Sequence, residues 1–336
     1  MNTSTGLLSK LTSSNGINYV NIGLMLISLV ASYILPFEVF LFSYAVLGPL
    51  HYLTEISWLE KKNYFIKSRK DIWVFVVLVS FITIGLFNNE SKLNYHVASF
   101  LFTGFLYGLI ILYVDKIAIK LILLLLFFII SNNHYFNSYP NFPLLLFAIW
   151  LPTIIHVYFF TGGFILFGAL KSKSTTGLIS FVVFVLCAVI CFIYIPENIG
   201  MAVSEYGKKA YSFFKLLNTT LYSAFGFGDL ESTDNALYYY PKSLAIMRFI
   251  AFAYTYHYLN WFSKTTIIKW NEISKQRMII ILLLWILSVV LYIFSYRIGF
   301  YALFLLSMLH VFFEFPLNHQ TFIGIGKEFR SRIKKS

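Results

Sequence analysis

Uninterrupted apolar runs of about 20 residues, the length a helix needs to cross a bilayer, recur along this chain from Ile17 to Phe315. That repetition limits the fold more than any other feature. Of the 336 residues 59% are hydrophobic and only 12% charged, too apolar for a soluble domain of this size. The alternating pattern of a membrane β-barrel is absent. The expected fold class is all-α: a polytopic membrane helical bundle forming a single transmembrane domain over residues 1–336.

The runs resolve into about ten transmembrane helices, at about Ile17–Leu35, Phe37–Leu59, Ile72–Phe87, Tyr95–Val114, Ile117–Ile130, Phe142–Leu170, Gly177–Ile195, Ser243–Phe262, Met278–Tyr296 and Gly299–Phe315. Pro36, Pro196 and Pro316 mark span ends, and Pro152 inside the sixth predicts a kink. Residues 1–16 read as a polar N-terminal tail that is not a cleavable signal. The longest connection, 197–242, is expected outside. Within it Ser204–Leu221 reads as an interfacial helix, with lysines on one side and Phe213, Phe214, Leu216 and Leu217 on the other. Residues 317–336 read as a basic cytoplasmic tail.

A net charge of +12 would point to nucleic acid in a soluble protein. Here most lysines and arginines, Lys116 and Lys120 among them, fall in alternate connections, the bias that sets topology. It places both termini in the cytoplasm and gives no nucleic-acid partner. Cys187 and Cys191, one helical turn apart in an apolar run, read as small packing residues.

Into this hydrocarbon the chain sets ionisable groups. In Gly48-Pro49-Leu50-His51-Tyr52-Leu53-Thr54-Glu55 a histidine and a carboxylate lie four residues apart, on one helix face. His310-Val311-Phe312-Phe313-Glu314 repeats the spacing, and His156 and His257 lie in two further runs. Such groups are costly in a membrane and persist where they pair, line a cavity or bind something. All four histidines fall on even-numbered spans, which share a direction. They lie about 11 to 15 residues into them, about 16–22 Å at the helical rise, and so share a depth.

The expectation is that these imidazoles converge on a metal. Imidazole suits Fe, Zn, Cu and Ni, and a histidine site with open positions is what non-haem iron uses in oxygen activation. Glu55 and Glu314 are either ligands or groups that orient the neighbouring imidazole. Asn260, one turn after His257, is a further candidate for that role. Tyr52, Tyr256 and Tyr258 flank two of the histidines, and Glu55 and Tyr256 are the candidate catalytic residues. His96, His134 and His319 fall at span ends or in loops and are expected to face solvent.

Other readings use the same residues. A single intramembrane histidine is as readily an interhelical hydrogen bond. A proton-coupled transporter or carrier would relay protons through the His/Glu groups, but needs a polar path to both faces, whereas the polar residues gather at one depth. A bis-histidine haem protein is a third reading. The chain has no Walker A loop, Rossmann fingerprint or Gly-x-Ser-x-Gly elbow, no desaturase-type histidine boxes and no Cys-x-x-Cys-His.

The stretch from Gly48 to Glu55 resembles the early Gly/Pro-His-x-x-x-Asp motif of the Brp/Blh family, the microbial membrane β-carotene 15,15'-dioxygenases, with Tyr52 in place of a small residue and Glu55 in place of the aspartate. Tyr254-Thr255-Tyr256-His257-Tyr258-Leu259-Asn260-Trp261 would be a later histidine segment. The resemblance implies a multi-pass protein of a bacterial inner membrane. It implies Fe(2+) held by His51, His156, His257 and His310, with Glu55 as a ligand or supporting carboxylate. Its partners would be O2 and an apolar, lipid-soluble, carotenoid-like molecule, β-carotene being split into retinal.

Overall fold

The structure is a computed structural model that describes residues 14–62, 69–88, 90–132, 144–196, 200–230 and 233–334. Among these every regular element is a helix. His134 lies outside the described residues.

Helix α1 (Ser14–Ile34) is followed by a rod made of α2 (Pro36–Phe42), a π-helical turn (Ser43–Leu47) and α3 (Gly48–Lys62). Next come α4 (Arg69–Phe87), a 3-10 turn leading into α5 (Val97–Tyr113), and α6 (Ile117–Ser131). A π-helical stretch (Leu144–Phe160) continues into α7 (Thr161–Ser172), and α8 (Thr175–Ile193) follows. The long connection holds α9 (Glu205–Tyr211), α10 (Lys215–Ala224) and α11 (Asp234–Tyr239). The chain then forms α12 (Pro241–Ser263), α13 (Thr265–Ile268), α14 (Lys275–Phe294) and α15 (Tyr296–Ile333).

Eight helical rods among the described residues are long and apolar enough to cross a membrane, so this is a membrane protein. The other two expected spans fall short for opposite reasons. α6 is strongly apolar but only 15 residues long. α12 has 23 residues but carries Arg248, His257 and Asn260. It is also the central helix: every residue from Ala245 to Tyr258 is buried, against α1, α2 and α8. A helix shielded from lipid can hold polar groups that a lipid-facing one cannot. The peripheral α14 is the converse, with Ile279, Leu283, Leu287 and Phe294 exposed.

Three sequence expectations change. The last helix does not stop at Pro316: α15 runs 38 residues to Ile333 with the proline inside it, so residues 317–333 are helix rather than tail. An interior proline forfeits a backbone bond, but within a bundle neighbouring groups compensate, and Phe315 here packs edge-on against Phe105 of α5. The expected interfacial helix is instead α9, a 3-10 turn and α10. Phe214 and Leu217 are buried while Leu216 is 58% exposed. Phe214 meets Phe40 edge-on at 4.8 Å and Phe213 stacks on Phe300 at 5.7 Å, so this segment caps the bundle.

The kink at Pro152 takes the form of a π-helical stretch. Proline lacks a donor and its ring crowds the carbonyl one turn earlier, and wider winding relieves that clash. The Thr153 hydroxyl donates to the Ile149 carbonyl. The shorter π turn is tied on both sides: Trp285 Nε1 donates to the Val46 carbonyl at 2.8 Å, and the Ser43 and Thr255 hydroxyls are 2.8 Å apart.

Lys120 is a fourth change, a lysine inside the bundle rather than in a connection. Its Nζ lies 2.9 and 2.7 Å from the two carboxylate oxygens of Asp71, and Tyr107 donates to Asp71 Oδ1 at 2.7 Å. Asp71 and Tyr107 are 0% exposed and Lys120 1%. This group fastens α4, α5 and α6 together. Close packing continues from α5 to α15 at Gly104, where a Cβ would lie 2.5 Å from the Phe312 ring.

Candidate metal centre

Each of the four histidine-bearing helices delivers its imidazole to one place. His51 stands on α3 just after the short π turn, His156 near the end of the π stretch, His257 on α12 and His310 on α15. All four are buried. Ring centroids of His51 and His257 are 4.6 Å apart, those of His156 and His257 5.0 Å, His156 and His310 5.0 Å, and His51 and His310 5.5 Å.

The rings face one another through the same atom. His51 Nε2 lies 3.1 Å from His257 Nε2, and His156 Nε2 lies 3.1 Å from His310 Nε2. A contact between two imidazole nitrogens needs a proton on one of them or a shared cation. Two ligands at right angles, each about 2.1 Å from a metal, are about 3.0 Å apart, close to this separation. Ligand atoms of His51, His156 and His257 all lie within 4.8 Å of one another, as do those of His51, Glu55 and His310.

The far side of one ring is held by a hydrogen bond. Thr161 Oγ1 lies 2.8 Å from His257 Nδ1. If that nitrogen carries the proton, Nε2 presents its lone pair to the centre, the tautomer metal binding requires. Glu314 Oε2 lies 3.0 Å from His156 Nδ1 and accepts from Asn318 Nδ2 at 3.3 Å. The Glu314 contact with His156 is a close approach without a hydrogen bond, and Glu55 makes a similar one. Its Oε2 lies 3.1 Å from His51 Nε2, the atom that faces the centre, yet makes no hydrogen bond to it. Nitrogen and oxygen sit side by side, as two donors to a common third atom would. The two carboxylates approach different ring atoms, Glu55 the Nε2 of His51 and Glu314 the Nδ1 of His156, and they lie next to each other.

Tyr52 stacks on His310 at 5.6 Å, Tyr258 lies 5.2 Å and Trp261 5.4 Å from His51, and Trp261 Nε1 donates to Thr54 Oγ1 at 3.0 Å. Tyr256 and Asn260 are not against the rings. The Tyr256 hydroxyl donates to Asn21 Oδ1 at 3.1 Å or Asn260 Oδ1 at 3.3 Å, and both side chains line an adjoining cavity. Asn260 does not orient His257; Thr161, which sequence reasoning missed, does. That contact joins residues 96 apart in the chain and leaves no local signal. His96 pairs with Asn132 and His319 with Tyr113, both away from the centre, and Cys187 and Cys191 are buried in packing.

Two cavities meet the cluster from opposite directions along the helices. The larger, about 410 Å³, takes residues that follow each histidine: Glu55 and Trp58, Thr161 and Phe164, Asn260 and Lys264, Glu314 and Thr321. The smaller, about 180 Å³, takes residues that precede or adjoin them, such as Tyr44, Thr153, Tyr254 and Phe304, and is lined also by Phe213 and Phe214 of the cap. The four helices therefore run in one direction with their histidines level, and His257 lines both cavities.

The donors are nitrogen and oxygen without thiolate, a set suited to divalent iron, manganese or zinc. They fit a metal, and the two facing pairs of Nε2 atoms, with a Glu55 oxygen beside one of them, are the observations in its favour. No known protein family, curated protein or solved structure matches the chain.

Proposed function

We propose that this membrane protein is a non-haem iron oxygenase. His51, His156, His257 and His310 hold the metal, with Glu55 beside them as a further ligand, and its substrate is an apolar molecule drawn from the bilayer. Ten helices cross the membrane, α6 and α12 completing the eight, with both termini on the cytoplasmic side of a bacterial inner membrane. The observation that carries this reading is the convergence of four Nε2 atoms from four separate helices, with a carboxylate oxygen placed beside one of them without a hydrogen bond.

Bound iron(II) would supply the activation of O2. The chain's own residues do the rest. Thr161 fixes the orientation of the His257 ring from behind, and Glu314 lies beside that of His156. Tyr52, Tyr258 and Trp261 wall the centre with aromatic rings and exclude water, which strengthens every polar interaction inside. The Tyr256 hydroxyl, its proton engaged by Asn21 or Asn260, stands in the larger cavity with its oxygen available to accept from a bound substrate. The resemblance of residues 48–55 to the Brp/Blh family makes a carotenoid-like substrate the first to try.

Transport is supported less well, because the smaller cavity is lined mostly by aromatic and apolar side chains rather than continued by polar ones. Haem is disfavoured by imidazole nitrogens 3.1 Å apart, which leave no plane for a macrocycle between them. Elemental analysis of detergent-purified protein tests the proposal. About one iron per chain, with O2-dependent conversion of a carotenoid, is the expected result. A metal-free chain that drives proton or solute flux in liposomes overturns it.

A further inference from the structure

The larger cavity is not uniform along its length. Its two carboxylates, Glu55 and Glu314, lie at the histidine end. At the other end stands Lys264, the residue that closes α12. Lys264 is partly buried, and among the described residues no carboxylate pairs with it. Burial pushes its ammonium group down to about 8, still charged at neutral pH. A cation taken partly out of water without a counter-ion carries a cost that a bound anion would offset.

The same end of the cavity is reached by the start of α8. Gly177 lines it, and Ser174 caps the helix by accepting from the Gly177 N–H at 3.1 Å. A helix N-terminus adds partial positive charge there. Between the two ends the wall is largely hydrocarbon, with Phe164, Ile165, Phe167 and Leu317. From His257 to Lys264 along α12 is about 10 Å at the helical rise. The volume of about 410 Å³ lies within the usual range of about 300–1,000 Å³ for small-molecule sites.

We propose that this cavity binds a single-chain anionic amphiphile, its head at Lys264 and its chain running to the histidine cluster. The proposal names a substrate class for the metal centre alternative to a carotenoid, and rests on the oxygenase reading only for what happens at the histidines; the binding itself does not require it. Lys264 contributes charge complementarity to the head, the apolar wall contributes chain burial, and a carbon about 10 Å from the head is brought beside the four rings.

The test uses the full chain in nanodiscs of zwitterionic lipid, with radiolabelled oleate as probe and metal content measured on the same samples. Wild type is expected to bind oleate saturably, about one per chain. Lys264→Met weakens it at least tenfold, Lys264→Arg restores it, and oleyl alcohol binds both wild type and Lys264→Met alike. Competition by unlabelled oleate but not lysophosphatidate identifies a carboxylate head; the reverse identifies a phosphate-headed lipid. Equal oleate affinity in wild type and Lys264→Met, or no saturable binding of either amphiphile, overturns the proposal. Oleate binding by a metal-free wild type keeps it while removing the oxygenase reading, and metal without amphiphile binding does the opposite.

Discussion

Two of the polar groups buried in this bundle are complete to different degrees. Asp71, Lys120 and Tyr107 bring one anion, one cation and one hydroxyl, and every contact is a short hydrogen bond. The histidine cluster brings four imidazoles and two carboxylates and no lysine or arginine. Its ring nitrogens face each other, and Glu55 Oε2 lies unbonded among them. Both groups carry the cost of removing polar atoms from water. The first offsets it from within and needs nothing more, the mark of a structural fastener. The second leaves ring nitrogens and a carboxylate oxygen facing one another, an arrangement that could hold a metal ion.

The sharpest way to break this comparison is His51→Ala. It should lower bound metal from about one per chain to none by elemental analysis, while Asp71→Asn leaves metal content intact. Metal retained in His51→Ala would place the ion elsewhere. Next in size is the clamp. Asp71→Asn or Lys120→Met alone should cost about 3–5 kcal/mol by leaving a charge buried without its partner. The double variant should cost less than either, read by thermal unfolding in detergent.

Stripping the metal with a chelator should then lower stability by about 2.7 kcal/mol when free metal had stood at a hundredfold excess over Kd. The loss should be the same in wild type and in the clamp double variant. The smallest effect is expected from Thr161→Val, which leaves the ring of His257 in place but removes its hydrogen-bond partner. Metal affinity should fall about 10- to 100-fold, measured by competition with a chelator of known affinity. An unchanged affinity would reduce Thr161 to a packing residue.

Much of the frame was legible from residue type alone. Hydropathy found the apolar rods, and the position of each histidine within its run placed His51, His156, His257 and His310 at one level. What could not be read was anything that depends on which helix faces which. Glu55 and Glu314 have identical spacing to their histidines, yet one approaches the Nε2 of its own His51 and the other the Nδ1 of His156 on a different helix. Lys120 resembled the charges of the short loop before it. Only the position of α4, which carries Asp71, makes it an interior residue. Pro316 carries the local signature of a stop, but the bundle holds the helix on through it. Thr161 has no signature at all.

The two π-helical segments have one more consequence. An α-helix turns by about 100° per residue, so the residue gained or lost in a widened turn decides which way everything beyond it points. Ser43–Leu47 lies directly before His51, and the longer stretch contains His156. Losing one residue from either would leave a run still greasy enough for the insertion machinery to accept, yet would swing its histidine toward the wrong neighbour. Getting into the membrane and becoming competent there are thus governed by separate information in this chain, and a defect in the second would pass unnoticed by the first.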